Sequence, residues 1–416
     1  MYTLGFTSAF LLAAGFNIGV LSSIAIYRLV FHRCRKFPGP FPAKLSKFYA
    51  ASLSAKDVQF YKELANLHGQ EISINRKEAV PLLYGPNSQC LKSTWYGQTG
   101  NDPQKCSIHM TRDFNGHRLR RRAWDKGFSI KALSSYEPRI KSKADLFKSQ
   151  LAKAAGKPMD VSTWSMFFSF DVMGEVGFGK DFNNLNTGVE HSAIKGVHSH
   201  MTMLATTLAS ALFYLAKNPS TQKKLQAHLD RAMPGGYSDW SYEKVKSVSY
   251  VDDFINETLR LKPALLTGGA RETPAKGIQV GDVYIPGNTN VMVPIWLIQR
   301  DERYWPEADK FVPERFGERR EEMGTDKAPY LPFSLGKIPR IGGLRAFADI
   351  EIGAYACPGK NLAQLSLRTS LSMIAQNFDV AFAPGEDGVT FDNEMLDTFT
   401  VTLPPLQLQF TPRNAA

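Results

Sequence analysis

Gly353-Ala-Tyr-Ala-Cys357-Pro-Gly359-Lys-Asn-Leu-Ala363 is the stretch on which the reading of this chain turns. A helical pattern follows from Lys360 to Gln376, so Cys357 stands at the start of an expected helix, with Pro358 suited to its first position. The unpaired N–H groups and positive dipole end of a helix start favour an anionic sulfur. Gly353 and Gly359 let the backbone turn tightly and come close to a flat ligand. A thiolate held in this way can ligate haem iron. The same residues suit a buried free cysteine at a helix start equally well.

Working outward, Glu257-Thr-Leu-Arg260 places opposite charges at i and i+3 of an amphipathic helix expected over Tyr250 to Leu261. Alone, such a pair is a surface salt bridge. Phe311-Val-Pro-Glu-Arg315-Phe adds an arginine in a proline-bounded loop, able to reach the same carboxylate and lock the loop onto the helix. From Gly268 to Pro294 short β-branched runs alternate with turns, as in Val283-Tyr284-Ile285-Pro286-Gly287, which is a β pattern. Residues from about 55 to 195 read mainly as helices, and Phe399 to Leu403 is strand-like. With no internal repeat and no low-complexity linker, the expectation is one mostly helical domain with a smaller β region.

The 416 residues suffice for one large domain or two ordinary ones. A hydrophobic fraction of 43% and a charged fraction of 21% argue against wholesale disorder. The net charge of +11 admits nucleic acid, an anionic membrane or an acidic partner. The densest basic cluster is His117, Arg118, Arg120, Arg121 and Arg122. No finger, knuckle or aromatic RNA-binding signature accompanies it, which argues against nucleic acid. Cys34, Cys90, Cys106 and Cys357 show neither a zinc-site spacing nor a disulfide framework, so a reducing compartment is expected for the bulk of the chain.

Phe6 to Tyr27 is a mostly apolar run of about 22 residues, enough at ~1.5 Å per residue to cross a bilayer core. Arg28, His32, Arg33, Arg35 and Lys36 follow it and would hold that side in the cytosol. A cleaved signal peptide would instead open on basic residues and carry a shorter apolar core. The expected division is a transmembrane anchor over 6–28, a basic and proline-containing hinge over 29–40, and a domain over 41–416. Phe37-Pro38-Gly39-Pro40 stiffens the hinge.

Anchor, proline hinge, Glu-x-x-Arg, Pro-Glu-Arg-Phe and Gly-x-x-x-Cys-Pro-Gly, in this order, resemble the cytochrome P450 superfamily over nearly the whole chain. The likeness is strongest to microsomal fungal members. It implies a mainly α fold with a smaller β region, the cytochrome P450 fold in incomplete form, plus the N-terminal transmembrane helix. Cys357 matches the thiolate ligand of the iron. Glu257, Arg260 and Arg315 match a structural charge triad. His117 and Arg121 match residues that contact the haem propionates, and Arg271 is a further candidate for that role. Arg118, Arg120 and Arg122 are left to a solvated face or an acidic reductase. Phe170 to Phe178 matches a packing helix. The resemblance also implies haem as cofactor, electrons from NADPH through a reductase, a hydrophobic small-molecule substrate, and a single-pass place in the endoplasmic reticulum membrane with the catalytic domain in the cytosol. The activity it implies is monooxygenation, in fungal secondary-metabolite biosynthesis.

Three departures stand beside these matches. The family's cysteine loop opens on a phenylalanine where this chain has Ile350, whereas Phe333 in Pro332-Phe-Ser-Leu-Gly336 lies 17 positions too early. Removing Lys337 to Gly353 would restore the loop, so that segment reads as an insertion of the kind a retained intron leaves. In the oxygen-activating helix the acid and hydroxyl positions fall on Thr202 and Met203, with His200, Met201 and Leu204 around them. Thr206 and Thr207 are not assigned the relay. Ser192 to His200 is too short for the helices that cover the substrate in relatives. Finally, Gln70 runs directly into Glu71-Ile-Ser-Ile, which leaves a first strand pair incomplete. Three readings therefore stay open: a working monooxygenase, an inactive or mis-spliced relative with a membrane or scaffolding role, and a haem-thiolate isomerase, dehydratase or peroxide-using enzyme.

Overall fold

Helix Met203–Lys217 is buried on every side from Ala205 to Ala216, so it forms the axis around which the helices stack. Helices Val161–Met173 and Lys360–Asn377 pack against it, and the long helix Ile130–Lys153 lies across both. Helix Ser249–Leu261 closes the other flank. The core between them is built from Phe147, Phe168, Leu212, Phe213, Phe254 and Leu371, all essentially excluded from water. Side-chain caps fix where these helices begin. Ser129 Oγ accepts from Ala132 N–H, and Asp160 Oδ1 accepts from Ser162 N–H at 3.1 Å. The computed structural model describes residues 2–46, 48–64, 71–97, 106–192, 194, 203–335 and 355–413.

The β region is small. A four-stranded sheet runs in the order Glu71–Ser73, Asn290–Met292, Arg271–Glu272, Leu91–Lys92. Glu71–Ser73 pairs in parallel with Asn290–Met292 and stands at the sheet edge among the described residues, in keeping with the expected incomplete strand pair. The stretch read as mainly helical between 55 and 195 thus also supplies three sheet strands, Glu71–Ser73, Leu91–Lys92 and Met159–Asp160. Ile278–Val280 and Val283–Ile285 pair antiparallel as a hairpin inside the stretch read as β. A three-stranded sheet joins Met159–Asp160, Gln407–Pro412 and Phe378–Phe382, and Leu396–Thr398 turns back on Thr400–Thr402 through Phe399 at φ 80°.

Helix Tyr2–Ile26 continues as a π-helical turn over Tyr27–Phe31, and Thr7–Phe31 is long and apolar enough to cross a membrane, with none of that span buried in the fold. The basic hinge after it is docked on the β region. Arg33 donates to the carbonyls of Gly287 and Asn288, and Cys34 is buried in a second core cluster with Ile72, Val80 and Ile285.

Two expectations are adjusted here. The helix after the cysteine opens at Lys360 with Gly359 as its cap, so Pro358 is a turn residue outside the helix. Lys337 to Gly353, and the relay position Thr202 with its neighbours His200 and Met201, lie outside the described residues.

Candidate functional site

Glu257, Arg260 and Arg315 meet at the foot of the site, each with a fully buried side chain. Arg260 grips the Glu257 carboxylate with two parallel bonds of 2.8 and 2.9 Å, and Arg315 Nε reaches Oε1 at 3.0 Å. One carboxylate facing two guanidiniums leaves an excess positive charge. Backbone carbonyls absorb it: Arg260 donates to Gln299 and Ala308, and Arg315 donates to Pro306 and Glu307. Val312 N–H also donates to Glu257. The triad therefore ties the loop 299–315 to helix Ser249–Leu261. A second bidentate pair, Arg368 on Asp252 at 2.6 and 2.9 Å, ties that helix to Lys360–Asn377, which follows the cysteine.

Cys357 lies on the loop between these parts. Its backbone N–H donates to the carbonyl of Phe333 at 3.1 Å, so the chain on the two sides of 337–353 is brought together. Pro332 and Ser334 add a bridge next to this contact. Phe333 therefore stands beside Cys357 as the expected loop opening requires. Burial pushes the Cys357 thiol up; the N–H groups of Gly359 and Lys360 and the charge of Arg121 oppose this without overcoming it.

A cavity of about 260 Å³ opens over this sulfur. His117 and Arg121, one turn apart on helix Phe114–Gly127, both line it, while Arg118 and Arg122 face solvent. Asp113 caps that helix through Asn115 and Gly116 N–H. Arg121 Nη1 donates to Ala356 O at 2.5 Å and its Nε pairs with Asp125, so it clamps the cysteine loop as well as lining the cavity. Arg271 is 4% exposed, its Nε has no hydrogen-bond partner, and its guanidinium stacks between the rings of Tyr84 and Tyr355 at 5.0 Å from each. Burial and the charges of Lys92, Arg121 and Arg271 hold His117 down at about 4. The sequence thus identified four residues that converge: Cys357, His117, Arg121 and Arg271.

The comparisons agree with this arrangement. The family model described as Cytochrome P450 matches residues 78–207 and 200–342, together more than half of the chain. This chain belongs to the cytochrome P450 family. It is 31% identical to the cytochrome P450 monooxygenase orf5 of Eupenicillium brefeldianum, with 99% of this chain and 98% of that protein covered. It is 28% identical to the tryprostatin B 6-hydroxylase of Aspergillus fumigatus, covering 97% and 85%. Its fold matches the crystal structure of a cytochrome P450 (CYP102L1) with a TM-score of 0.65 at 18% identity, covering 82% of this chain and 92% of that one. The family is one of oxidoreductases, and these relatives lend no support to the reading of an inactive relative. They do mark the departures. The alignment to the Eupenicillium protein runs over 504 positions against 416 residues here, so at least 88 of them fall opposite gaps in this chain. The family match itself divides at 200–207, beside the Ser192–His200 stretch read as shortened, and ends at 342, inside the segment read as an insertion.

Within this P450, the side chains fit the haem that the family implies. Among the described residues no group of three or more His, Cys, Asp or Glu could hold a metal ion. A metal at Cys357 would have to bring its other ligands with it, as a porphyrin does. Among the described residues the lining holds several cations and no carboxylate, which suits a group that carries two carboxylates of its own. Of helix Met203–Lys217, Met203 lines the cavity. The Thr206 hydroxyl donates to Val401 O at 3.2 Å and that of Thr207 to Met203 O at 2.8 Å, in line with neither being a relay. Sequence reasoning missed Lys92 and Tyr355. A lysine on a two-residue strand reads as surface, and a tyrosine two places before Cys357 reads as packing.

Proposed function

We propose that this P450 is a haem-thiolate monooxygenase that oxidises a hydrophobic small molecule in fungal secondary metabolism. The observation that carries the reading is the shared cavity: one cysteine sulfur at its base, His117, Arg121 and Arg271 around it, and no carboxylate among its lining residues. Cys357 would ligate the iron, and the three basic residues would hold the haem carboxylates. Glu257, Arg260 and Arg315 would keep the surrounding loop in place. Haem bound there would supply the redox chemistry that puts one atom of dioxygen into the substrate and the other into water. The chain's own part is to orient the substrate and exclude water, through Ile108, Met203, Leu265, Ile295 and Phe399 in the cavity wall.

The division into an anchor over 6–28, a hinge over 29–40 and a P450 domain over 41–416 belongs to the same reading. So does a single pass through the endoplasmic reticulum membrane, with NADPH-derived electrons arriving through a reductase. The apolar span Thr7–Phe31 supports the anchor. That these fungal relatives are monooxygenases, and that one of them hydroxylates tryprostatin B, supports the reaction and the substrate class. The test is isotopic. Membranes bearing this chain, with NADPH, reductase and an extract of fungal metabolites, are incubated under oxygen-18 gas. A product carrying one labelled atom, absent for Cys357→Ala, is expected. Its absence from the wild type would contradict the reading.

A further inference from the structure

Phe399 lines the cavity from a strained backbone. It turns the chain between Leu396–Thr398 and Thr400–Thr402 at φ 80°, where glycine costs nothing and a bulky side chain is disfavoured. Such strain persists only where the surrounding structure holds it in place. Here Val401 N–H donates to Ala264 O at 3.1 Å and Thr206 Oγ1 donates to Val401 O at 3.2 Å, which fixes the strand just past the turn. The Phe399 ring is fixed in turn by other rings. Trp95 stacks on one of its faces, 5.1 Å away and 14° from parallel, and His109 meets it in a T at 5.0 Å. Tyr96 closes the circuit in two more T-shaped contacts, 5.0 Å from Trp95 and 5.2 Å from His109.

The four rings come from three segments, each tied down separately. Thr94 and Asn290 exchange two bonds, of 3.4 and 3.0 Å, under the turn Thr94–Gly97. The carbonyls of Ile108 and His109 both accept from Lys92 Nζ at 2.7 Å. Tyr96, His109 and Phe399 line the cavity beside the aliphatic Leu265 and Ile295, whereas Trp95 stands behind Phe399 and is 40% exposed. Packing of the hairpin alone would not require a ring where the backbone favours glycine. A rigid aromatic surface selects a ligand able to meet it offset-stacked or edge-on, and its being held beforehand lowers the entropy lost on binding. We propose that the substrate of this P450 is aromatic: it presents a flat ring system to Phe399 and His109, and a saturated ring system of the same size is discriminated against. This rests on the reading of the cavity as that of a haem monooxygenase.

The test dialyses the haem-loaded full chain in detergent against 2-methoxynaphthalene or its saturated counterpart, 2-methoxydecalin. The portion released by a bulky azole that ligates the iron counts as bound in the cavity, and each affinity is scaled by the compound's partition between water and octanol. The naphthalene should bind about tenfold tighter, the sum of two ring contacts. Phe399→Leu should cut that preference to about twofold or less by weakening the naphthalene alone. Trp95→Leu, which frees the ring from behind, should also reduce it, and both variants should keep the carbon monoxide band of the wild type. Equal binding of the two compounds to the wild type, cavity binding of neither, or an equal loss of both in Phe399→Leu would overturn the aromatic class and leave the haem seat standing. A wild type without a haem band would end the reading of the seat and this inference with it.

Discussion

Asp253 shows what a single buried charge does in this fold. It is 6% exposed on helix Ser249–Leu261, and burial together with Asp252, Glu314 and Glu318 pushes its carboxyl up to about 8, opposed by Lys224. A side chain at Gly317 would drive its Cβ into that carboxylate and force it to shift. An acid whose folded value lies above its unfolded 3.8 holds its proton longer in the folded state. Stability then falls as pH rises from about 4 to about 8 and levels off beyond. Asp253→Asn should flatten that decline and raise the melting temperature at pH 8; equal slopes in both proteins would contradict it. Glu257 differs in having two arginines against its carboxylate. Glu257→Ala leaves two fully buried guanidiniums without their anion. The expected loss, read by chemical denaturation, is ~3–5 kcal/mol, and a loss under 1 kcal/mol, the scale of an exposed pair, would show the triad to be ornamental. The triad was legible in the sequence because Glu-x-x-Arg and Pro-Glu-Arg-Phe are local patterns. Lys92 was not, because its place in the cavity follows from its register opposite Arg271, which only the sheet reveals.

Among the elements, the cysteine loop carries the sharpest prediction. Cys357 N–H already bonds to Phe333 O across the segment read as an insertion, so the described chain on its two sides is held together without it. Deleting Lys337 to Gly353 should leave the haem absorption bands in place and raise the melting temperature slightly, since closing a shorter loop costs less entropy, by roughly 0.6 kcal/mol for each halving of length. Loss of haem from the deletion protein would show that the segment helps to form the site. Helix Met203–Lys217 carries the second prediction. Its described threonine hydroxyls are bonded to backbone carbonyls, and Met203 is what it presents to the cavity. Proton delivery from this helix should therefore be poor, and hydrogen peroxide should support turnover better than NADPH with a reductase. NADPH-driven turnover at an equal or higher rate would contradict this. Helix Lys360–Asn377 was legible from its period, yet its start was not. Pro358 suits a first helical position in general, but Gly359 takes the cap and leaves Cys357 and Pro358 in the preceding turn.

At the scale of the whole molecule, one ion network ties the loop 299–315 to helix Ser249–Leu261, a second ties that helix to Lys360–Asn377, which follows Cys357, and the β region seats the N-terminal hinge through Arg33 and Cys34. The order of motifs made the family legible although the alignment to a relative leaves at least 88 of 504 positions opposite gaps in the 416 residues. The helical core survives such gaps because its buried faces repeat along each helix, whereas the covering segments have no such internal signature. What the sequence could not show was the charge balance of the cavity, a sum over residues that meet only in the fold. The central claim is that this cavity seats a haem on Cys357. The carbon monoxide difference spectrum of dithionite-reduced membranes bearing the chain, beside Cys357→Ser, tests it most directly. The account predicts a red-shifted Soret band of the thiolate type in the wild type and its loss in the variant. No haem band in the wild type, or the same band in both proteins, would contradict it.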